Sequence, residues 1–168
     1  MSASRNFTII GGGQSGLQLA CGLLDAGHHV RVVQNRTAEE IAAGRVLSSQ
    51  CMFDTALQNE RDLGLAFWDD TCPTVDSIDF SVPMPDGTPA KAISWNGLLD
   101  KPALSVDQRV KIPRWMEEFT RRGGELVIHD AGIADLEAYA GASDLVIVAA
   151  GKGEIAKLFE RDATRSPF

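Results

Sequence analysis

The first 35 residues change from one hydrophobic period to another. Asn6 to Ile10 is a short apolar run rich in β-forming residues, and it stops at three glycines. Apolar side chains then recur with helical spacing up to Gly27, at Leu17, Leu19, Ala20, Leu23 and Leu24. The valine-rich run Val30 to Val33 is typical of a strand buried on both faces of a parallel sheet. The pattern predicts a βαβ unit.

The middle of the chain departs from this α/β alternation. Thr37 to Met52 shows no clean period and is predicted to be mostly loop, whereas Asp54 is predicted to cap a helix running to about Gly64. Apolar residues alternate over Ser77 to Val82 and again over Ala90 to Trp95, with the turn formers Asp86 and Gly87 between them. This part of the chain therefore predicts a β-hairpin.

Helical spacing returns in the last third of the chain. One helix is indicated by a stripe of apolar residues that ends before Gly123-Gly124, namely Ile112, Trp115, Met116 and Phe119. Its start stays open, because a cap at Asp107 would place Pro113 past the first turn, where proline removes a backbone hydrogen bond. Further on, strands are predicted over Glu125 to Ile128 and Leu145 to Val148, joined by a short connection over Ile133 to Tyr139.

Composition narrows the class of protein. A chain of 168 residues, 44% apolar and 23% charged, is expected to form one soluble domain. The formal charge of −7 argues against nucleic acid as a partner. The longest apolar run, Leu145 to Ala150, is far shorter than the roughly 20 residues of a membrane helix, and the amino terminus does not resemble a signal peptide. We expect a cytoplasmic protein. Three scattered cysteines and adjacent His28 and His29 do not match a metal site.

The glycines after the first strand carry the clearest chemical motif. Gly11-Gly12-Gly13-Gln14-Ser15-Gly16 fits G-x-G-x-x-G between a predicted strand and a predicted helix. In such a loop Gly11 allows the sharp turn, Gly13 lets the backbone approach a pyrophosphate, and Gly16 lets the helix pack closely on the strand. The amino end of the predicted helix would then face the anion.

The second strand ends without the acidic residue that usually contacts the adenosine ribose. Gln34, Asn35 and Arg36 stand there instead. The two amides can still form hydrogen bonds with a ribose hydroxyl, and Arg36 is suited to an adenine or a phosphate. The alternative is that all three are ordinary polar residues at the end of a strand.

Four segments together resemble a known family. They are the glycine loop, Gly44-Arg45-Val46-Leu47, Ser105-Val106-Asp107-Gln108-Arg109, and Asp144 to Gly151. The chain is similar in them to flavoprotein monooxygenases of the hydroxybenzoate-hydroxylase fold, and more narrowly to the oxygenase component of styrene and indole monooxygenases. That narrower group also lacks the acidic ribose residue. The resemblance implies an α/β fold with a Rossmann-like FAD-binding domain of the glutathione-reductase and hydroxybenzoate-hydroxylase type, and with an inserted β-hairpin from a substrate-side sheet.

The resemblance also implies which residues hold FAD. Gly11, Gly13, Gln14, Ser15 and Gly16 would surround the pyrophosphate, and Gln34, Asn35 and Arg36 the adenosine end. The remaining three would contact the ribityl, phosphate or flavin parts, namely Arg45, Arg109 and Gly151. Without the resemblance, Arg45 and Arg109 would be interpreted as surface charge. The whole chain, residues 1–168, would form the FAD-binding domain, with residues 75–97 as an excursion toward the substrate.

The activity implied by the resemblance is epoxidation of an apolar aromatic alkene through a flavin hydroperoxide. Reduced FAD would come from a separate NADH-dependent flavin reductase, and a homodimer is left open. Family members are about twice as long or more, so we expect this chain to be an amino-terminal fragment that is inactive alone. No catalytic triad or paired carboxylates stand out in the sequence. A single-component NAD(P)H-dependent hydroxylase and an inactive dinucleotide-binding module are the alternatives.

Overall fold

The structure, a computed structural model, describes residues 3–46 and 50–151 together with five single residues near the carboxyl terminus: Ile155, Leu158, Asp162, Thr164 and Arg165. The chain divides into two compact units. One unit comprises Met1–Leu47 and Gln108–Phe168, and the other comprises Ser48–Asp107. No helix among the described residues is long and apolar enough to cross a membrane.

The first unit is an α/β structure. Its strands are β1 (Asn6–Ile10), β2 (His29–Gln34), β5 (Glu125–Ile128) and β6 (Leu145–Val148). Its helices are α1 (Gln14–Asp25), α2 (Ala38–Ala42), α4 (Gln108–Arg121) and α5 (Ile133–Ala142). The strands pair in parallel in the order β5-β2-β1-β6. The predicted βαβ unit and the predicted fold class are therefore confirmed.

Alternation along the strands divides the core of this unit between the two faces of the sheet. On one face Ile9 of β1 lies against Gly16 at the start of α1, and both residues are buried. On the other face Ile10 and Val33 pack with Leu136 and Tyr139 of α5. Because successive side chains of a strand point to opposite faces, continuous apolar runs in β1 and β2 allow helices to cover both sides.

Two helices of this unit differ from expectation, and a third has the start that the sequence left open. The segment predicted to be mostly loop contains α2, which begins with a capping box in which Thr37 and Glu40 satisfy each other's backbone N–H groups. Helix α4 starts at Gln108 and carries Pro113 in its second turn, so the proline does not end the helix. The connection predicted over Ile133 to Tyr139 is the longer helix α5.

Helix α4 carries a buried carboxylate, and one of its arginine partners also pairs with α1. Glu118 of α4 is 5% exposed and accepts hydrogen bonds from Arg121 and Arg122. Arg122 also donates to Asp25 of α1, with 3.1 Å between Nη1 and Oδ2. Hydrogen bonds from Arg121 and then Arg122 lower the pKa of the Glu118 carboxyl from its usual 4.5 to about 2. The charged carboxylate is therefore favoured by the folded state.

This shift gives a pH-dependent stability. Because the pKa is depressed by folding, the stabilisation from Glu118 is complete above about pH 5 and is lost as pH falls from about 4.5 toward 2. Glu118→Gln is expected to lower the free energy of unfolding by about 2 kcal/mol at pH 7 and by much less at pH 3. Denaturant titrations at both pH values measure this. Glu117→Gln, which removes a more exposed partner of Arg114, is the control and should change little.

The second unit contains a helix and a hairpin. Helix α3 (Asp54–Asp62) precedes β3 (Thr74–Pro83) and β4 (Lys91–Leu104), and the two strands form an antiparallel sheet of their own. The predicted cap at Asp54 is wrong, because the N-cap position is held by Phe53. The Asp54 carboxylate instead pairs with Lys101 at 2.9 Å and with Arg61 at 3.3 Å. These ion pairs link α3 to β4.

The hairpin is longer than its alternating pattern predicted, and it has two unlike faces. Phe80 lies opposite Trp95 in the register, and their rings stack with 5.6 Å between centroids. Ile78, Val82 and Ile93 share that face by alternation. The other face carries polar pairs such as Ser81 with Ser94. Phe80 is 45% and Trp95 53% exposed, so the apolar face is partly open.

Candidate dinucleotide site

The carboxyl ends of three neighbouring strands meet at the glycine loop. Gly11 directly follows β1, and its N–H donates to the carbonyl oxygen of Val33 in β2 at 2.9 Å. On the other side, the N–H of Ala149 beyond β6 donates to the carbonyl oxygen of Ile10 at 2.8 Å. The chain order reverses at β1, because β2 and β6 lie on opposite sides of it. In open parallel sheets such a reversal is where ligands bind.

Gly11 and Gly16 are required by the packing of the loop itself. Gly11 has a φ of +114°, and a Cβ added there would lie 2.7 Å from the carbonyl carbon of Ala149. A Cβ on Gly16 would overlap the carbonyl oxygen of Gly11. These two glycines therefore bring the loop against β6 and α1 against the loop, as their places in the motif predicted.

Gly13 differs from its two neighbours in the motif. It is the N-cap residue of α1, with ordinary extended angles of φ −78° and ψ −174°. A Cβ added there would meet no described protein atom within 4 Å, and the residue is exposed. Neither packing nor backbone strain accounts for this glycine. Its bare backbone lies at the positive end of a helix, so the loop fits a bound pyrophosphate.

Gln34 lies against the glycine loop. Its Oε1 accepts from the N–H of Gly12 at 3.4 Å and from the N–H of Asn35 at 3.3 Å. A Cβ on Gly12 would come within 3.1 Å of the Gln34 Cβ, so the two residues are in close contact. Asn35 is exposed, and the Arg36 guanidinium lies beside Gly44, with 3.9 Å from Nη1 to an added Cβ there. The structure thus brings the end of β2 to the loop.

Gln108 is a residue of this region to which the sequence assigned no role. It is 5% exposed, and its Nε2 donates to Oε1 of Gln14 at 3.0 Å, which joins the start of α4 to the start of α1. Arg109 follows it and is half-buried in the first turn of α4. The sequence offered one sign of such a role, a polar residue next to an arginine at the start of a helix. Its contact with Gln14 could be seen only in the folded structure.

Two predicted residues are less closely tied to the loop. Arg45 is exposed beyond α2, and no hydrogen bond or ion pair in the described part of the chain joins it to the glycine loop. Gly151 is exposed two residues beyond Ala149. The structure therefore brings together Gly11 to Gly16 with Gln34 and, through Gln108, the start of α4.

A groove lies at the opposite, amino edge of the sheet. Its volume is about 510 Å³, and its lining includes Phe7, His28, Arg31 and Ser143. Arg31 there pairs with Glu125 at 2.9 Å. Since ligands of parallel sheets bind at the carboxyl edge, we place the site at the glycine loop rather than in this groove.

Among known sequences, the chain is similar to styrene monooxygenases. No protein-family model matches the chain. Styrene monooxygenase StyA of Pseudomonas fluorescens is 29% identical over 160 residues, which cover 95% of this chain and 37% of the relative. Styrene monooxygenase StyA of a Pseudomonas species matches with the same identity and coverage. The chain therefore spans little more than a third of the length of these relatives.

Solved structures show the same fold. The flavin-dependent brominase Bmp2 superimposes on 75% of this chain with 29% of its own length, at a TM-score of 0.58 and 17% identity. The myxobacterial FAD-dependent chondrochloren halogenase CndH superimposes on 74% of this chain with 28% of its own length, at a TM-score of 0.56 and 16% identity. For a mutant form of 2-methyl-3-hydroxypyridine-5-carboxylic acid oxygenase the two shares are 74% of this chain and 31% of the oxygenase, with a TM-score of 0.52 and 15% identity. The chain is thus a distant homologue of styrene monooxygenase, as its sequence predicted, and shares its fold with flavin-dependent halogenases and oxygenases.

Proposed function

We propose that this chain forms the FAD-binding part of a two-component monooxygenase. The observation that carries the proposal is the glycine loop at the strand-order reversal, where the bare backbone of Gly13 lies at the amino end of α1. The distant homology to styrene monooxygenase supports FAD as the dinucleotide. Bound FAD would supply the redox chemistry by which oxygen is activated and transferred.

The chain's own residues would bind and orient the cofactor. The backbone around Gly13 and Ser15 would hold the pyrophosphate, and Gln108 would fix the Gln14 side chain beside it. Gln34 and Asn35 would contact the adenosine ribose. Further contacts with FAD are proposed for Arg36, Arg45, Arg109 and Gly151.

The proposed reaction is epoxidation of an apolar alkene of the styrene or indole type. No acidic ribose residue and no catalytic acid-base cluster were found in the sequence, which suits an enzyme whose chemistry belongs to the cofactor. Reduced FAD would be delivered by a separate NADH-dependent reductase, as the homology to styrene monooxygenase suggests.

The apolar hairpin face, defined as Ile78, Phe80, Val82, Ile93 and Trp95, is proposed to contact the substrate. A stacked aromatic pair in a partly exposed apolar face is suited to a planar aromatic molecule. In the complete enzyme, Trp95→Ala is expected to raise KM for styrene about tenfold and to leave FAD affinity unchanged. Asn96→Ala, on the opposite face, is the control. Equal KM values in the wild type and Trp95→Ala would contradict this placement.

The function is tested with the complete product of the reading frame, supplied with styrene or indole, oxygen and chemically reduced FAD. Neither reductase nor NADH is added. The proposal predicts styrene oxide or an indigo-type pigment. Activity only with NADH would place the protein among single-component hydroxylases, and failure to bind FAD would indicate an inactive module.

A further inference from the structure

The end of β2 presents hydrogen-bond donors at the place where a carboxylate is usual. Gln34 uses its oxygen for the N–H groups of Gly12 and Asn35, so the amide nitrogen Nε2 is the part of the side chain left for a ligand. An NH₂ group donates two hydrogen bonds and accepts none. The usual carboxylate has the opposite character, since it accepts from ribose hydroxyls and repels a phosphate.

Arg36 adds a positive charge at the same strand end. Its guanidinium has no hydrogen bond or ion pair with any residue that the structure describes. The acids that follow along the chain, Glu39 and Glu40, lie in the first turn of α2, and Glu40 accepts from the Thr37 N–H at 2.8 Å. On the other side of β2, the backbone N–H of His129 donates to the Gln34 carbonyl oxygen.

From this arrangement we infer that the end of β2 accepts a 2′-phosphate. Adenine nucleotides phosphorylated at the ribose 2′-oxygen bind there at least as tightly as those with a free 2′-hydroxyl. The phosphate oxygens accept from Gln34 Nε2 and from the Arg36 guanidinium, whereas a carboxylate at position 34 would repel them. The inference rests on the proposed dinucleotide site and adds to it a specificity for the ribose.

Two probes that differ by one phosphate test the inference. Isothermal titration calorimetry of the purified chain compares ADP-ribose with 2′-phospho-ADP-ribose in the wild type, Gln34→Glu, Arg36→Gln and Asn59→Asp. Gln34→Glu keeps the size of the side chain and an oxygen for the same two N–H groups, so the loop contact is preserved. Asn59→Asp adds the same charge on an exposed side chain of α3, which belongs to the other unit of the chain, and is the control.

The wild type is expected to bind the 2′-phosphorylated probe with an equal or lower Kd. Gln34→Glu should weaken binding of that probe at least tenfold relative to ADP-ribose, and Arg36→Gln should weaken binding of the phosphorylated probe alone. Asn59→Asp should change either Kd less than threefold. A tenfold preference of the wild type for ADP-ribose would overturn the inference, as would equal effects of Gln34→Glu and Asn59→Asp. If neither probe binds the folded wild type, the dinucleotide site itself is wrong, and the inference fails with it.

Discussion

Gly16→Ala is expected to lower the free energy of unfolding by about 3 kcal/mol, because the new methyl group has no room. It would overlap the carbonyl oxygen of Gly11 and lie 3.5 Å from Cγ2 of Ile9. A backbone carbonyl, unlike a flexible side chain, cannot relieve the overlap by changing rotamer. Gly11 has little room to shift, since a Cβ added to it would already lie within 3 Å of the backbone of Ala149 and Ala150.

Denaturant-induced unfolding followed by circular dichroism measures this loss. Gly141→Ala is the matched control, because a Cβ at Gly141 meets no described atom within 4 Å and alanine is the better helix former. The control is expected to be neutral or slightly stabilising. A loss below about 1 kcal/mol in Gly16→Ala would show that the packing of α1 on the loop is looser than the structure indicates.

Gly13→Val is expected to weaken FAD binding about 100-fold, or about 2.7 kcal/mol, while the fold is retained. The extended backbone angles of Gly13 are open to valine, and no described atom obstructs the side chain. The cost to stability should therefore stay near 1 kcal/mol, the usual effect of a poorer N-cap residue. The isopropyl group would instead occupy the space through which a pyrophosphate approaches the helix terminus.

Flavin fluorescence titration in the complete protein measures the affinity, and thermal unfolding of the same variant verifies the fold. Gly141→Val provides the same chemical change on an exposed helix away from the loop. If FAD affinity in Gly13→Val stays within a factor of two of the wild type, the role assigned to Gly13 is wrong.

Elements with a strong period were predictable from sequence. The bounds of β1, β5 and β6 agree with the predicted runs, because each strand is a mostly apolar run that stops at a smaller or polar residue, Gly11, His129 or Ala149. The glycine motif was equally readable, since Gly11 is required by its positive φ and Gly16 by its close packing against Gly11. Local sequence was sufficient where an apolar run or the glycine motif decided the structure.

Elements decided by local hydrogen bonds or distant contacts were harder to predict. The five-residue helix α2 is too short to show a period, although the spacing of Thr37 and Glu40 was a usable sign of its start. Asp54 has the side chain of a good N-cap, yet its ion pairs with Arg61 and Lys101 involve residues 7 and 47 positions away. Such pairings are set by tertiary structure, which one sequence does not reveal.

The candidate site likewise has residues that the sequence identified and contacts that it did not. The loop and the end of β2 were identified from their spacing, but the contact between Gln108 and Gln14 spans 94 positions. The orientation of the Gln34 amide was likewise unpredictable, since it depends on the Gly12 N–H across the loop. Only the structure shows that the Gln34 amide offers a ligand its nitrogen, a donor, at the place where a carboxylate would be an acceptor.

We propose that the carboxyl edge of the parallel sheet binds a dinucleotide through the glycine loop. Backbone amide NMR of the ¹⁵N-labelled chain, titrated with FAD, distinguishes this edge from the amino edge because both are observed at once. The largest saturable shift changes are expected at Gly11, Gly13, Ser15 and Asn35. Changes concentrated instead around Phe7, His28 and Ser143, at the amino-edge groove, would contradict it.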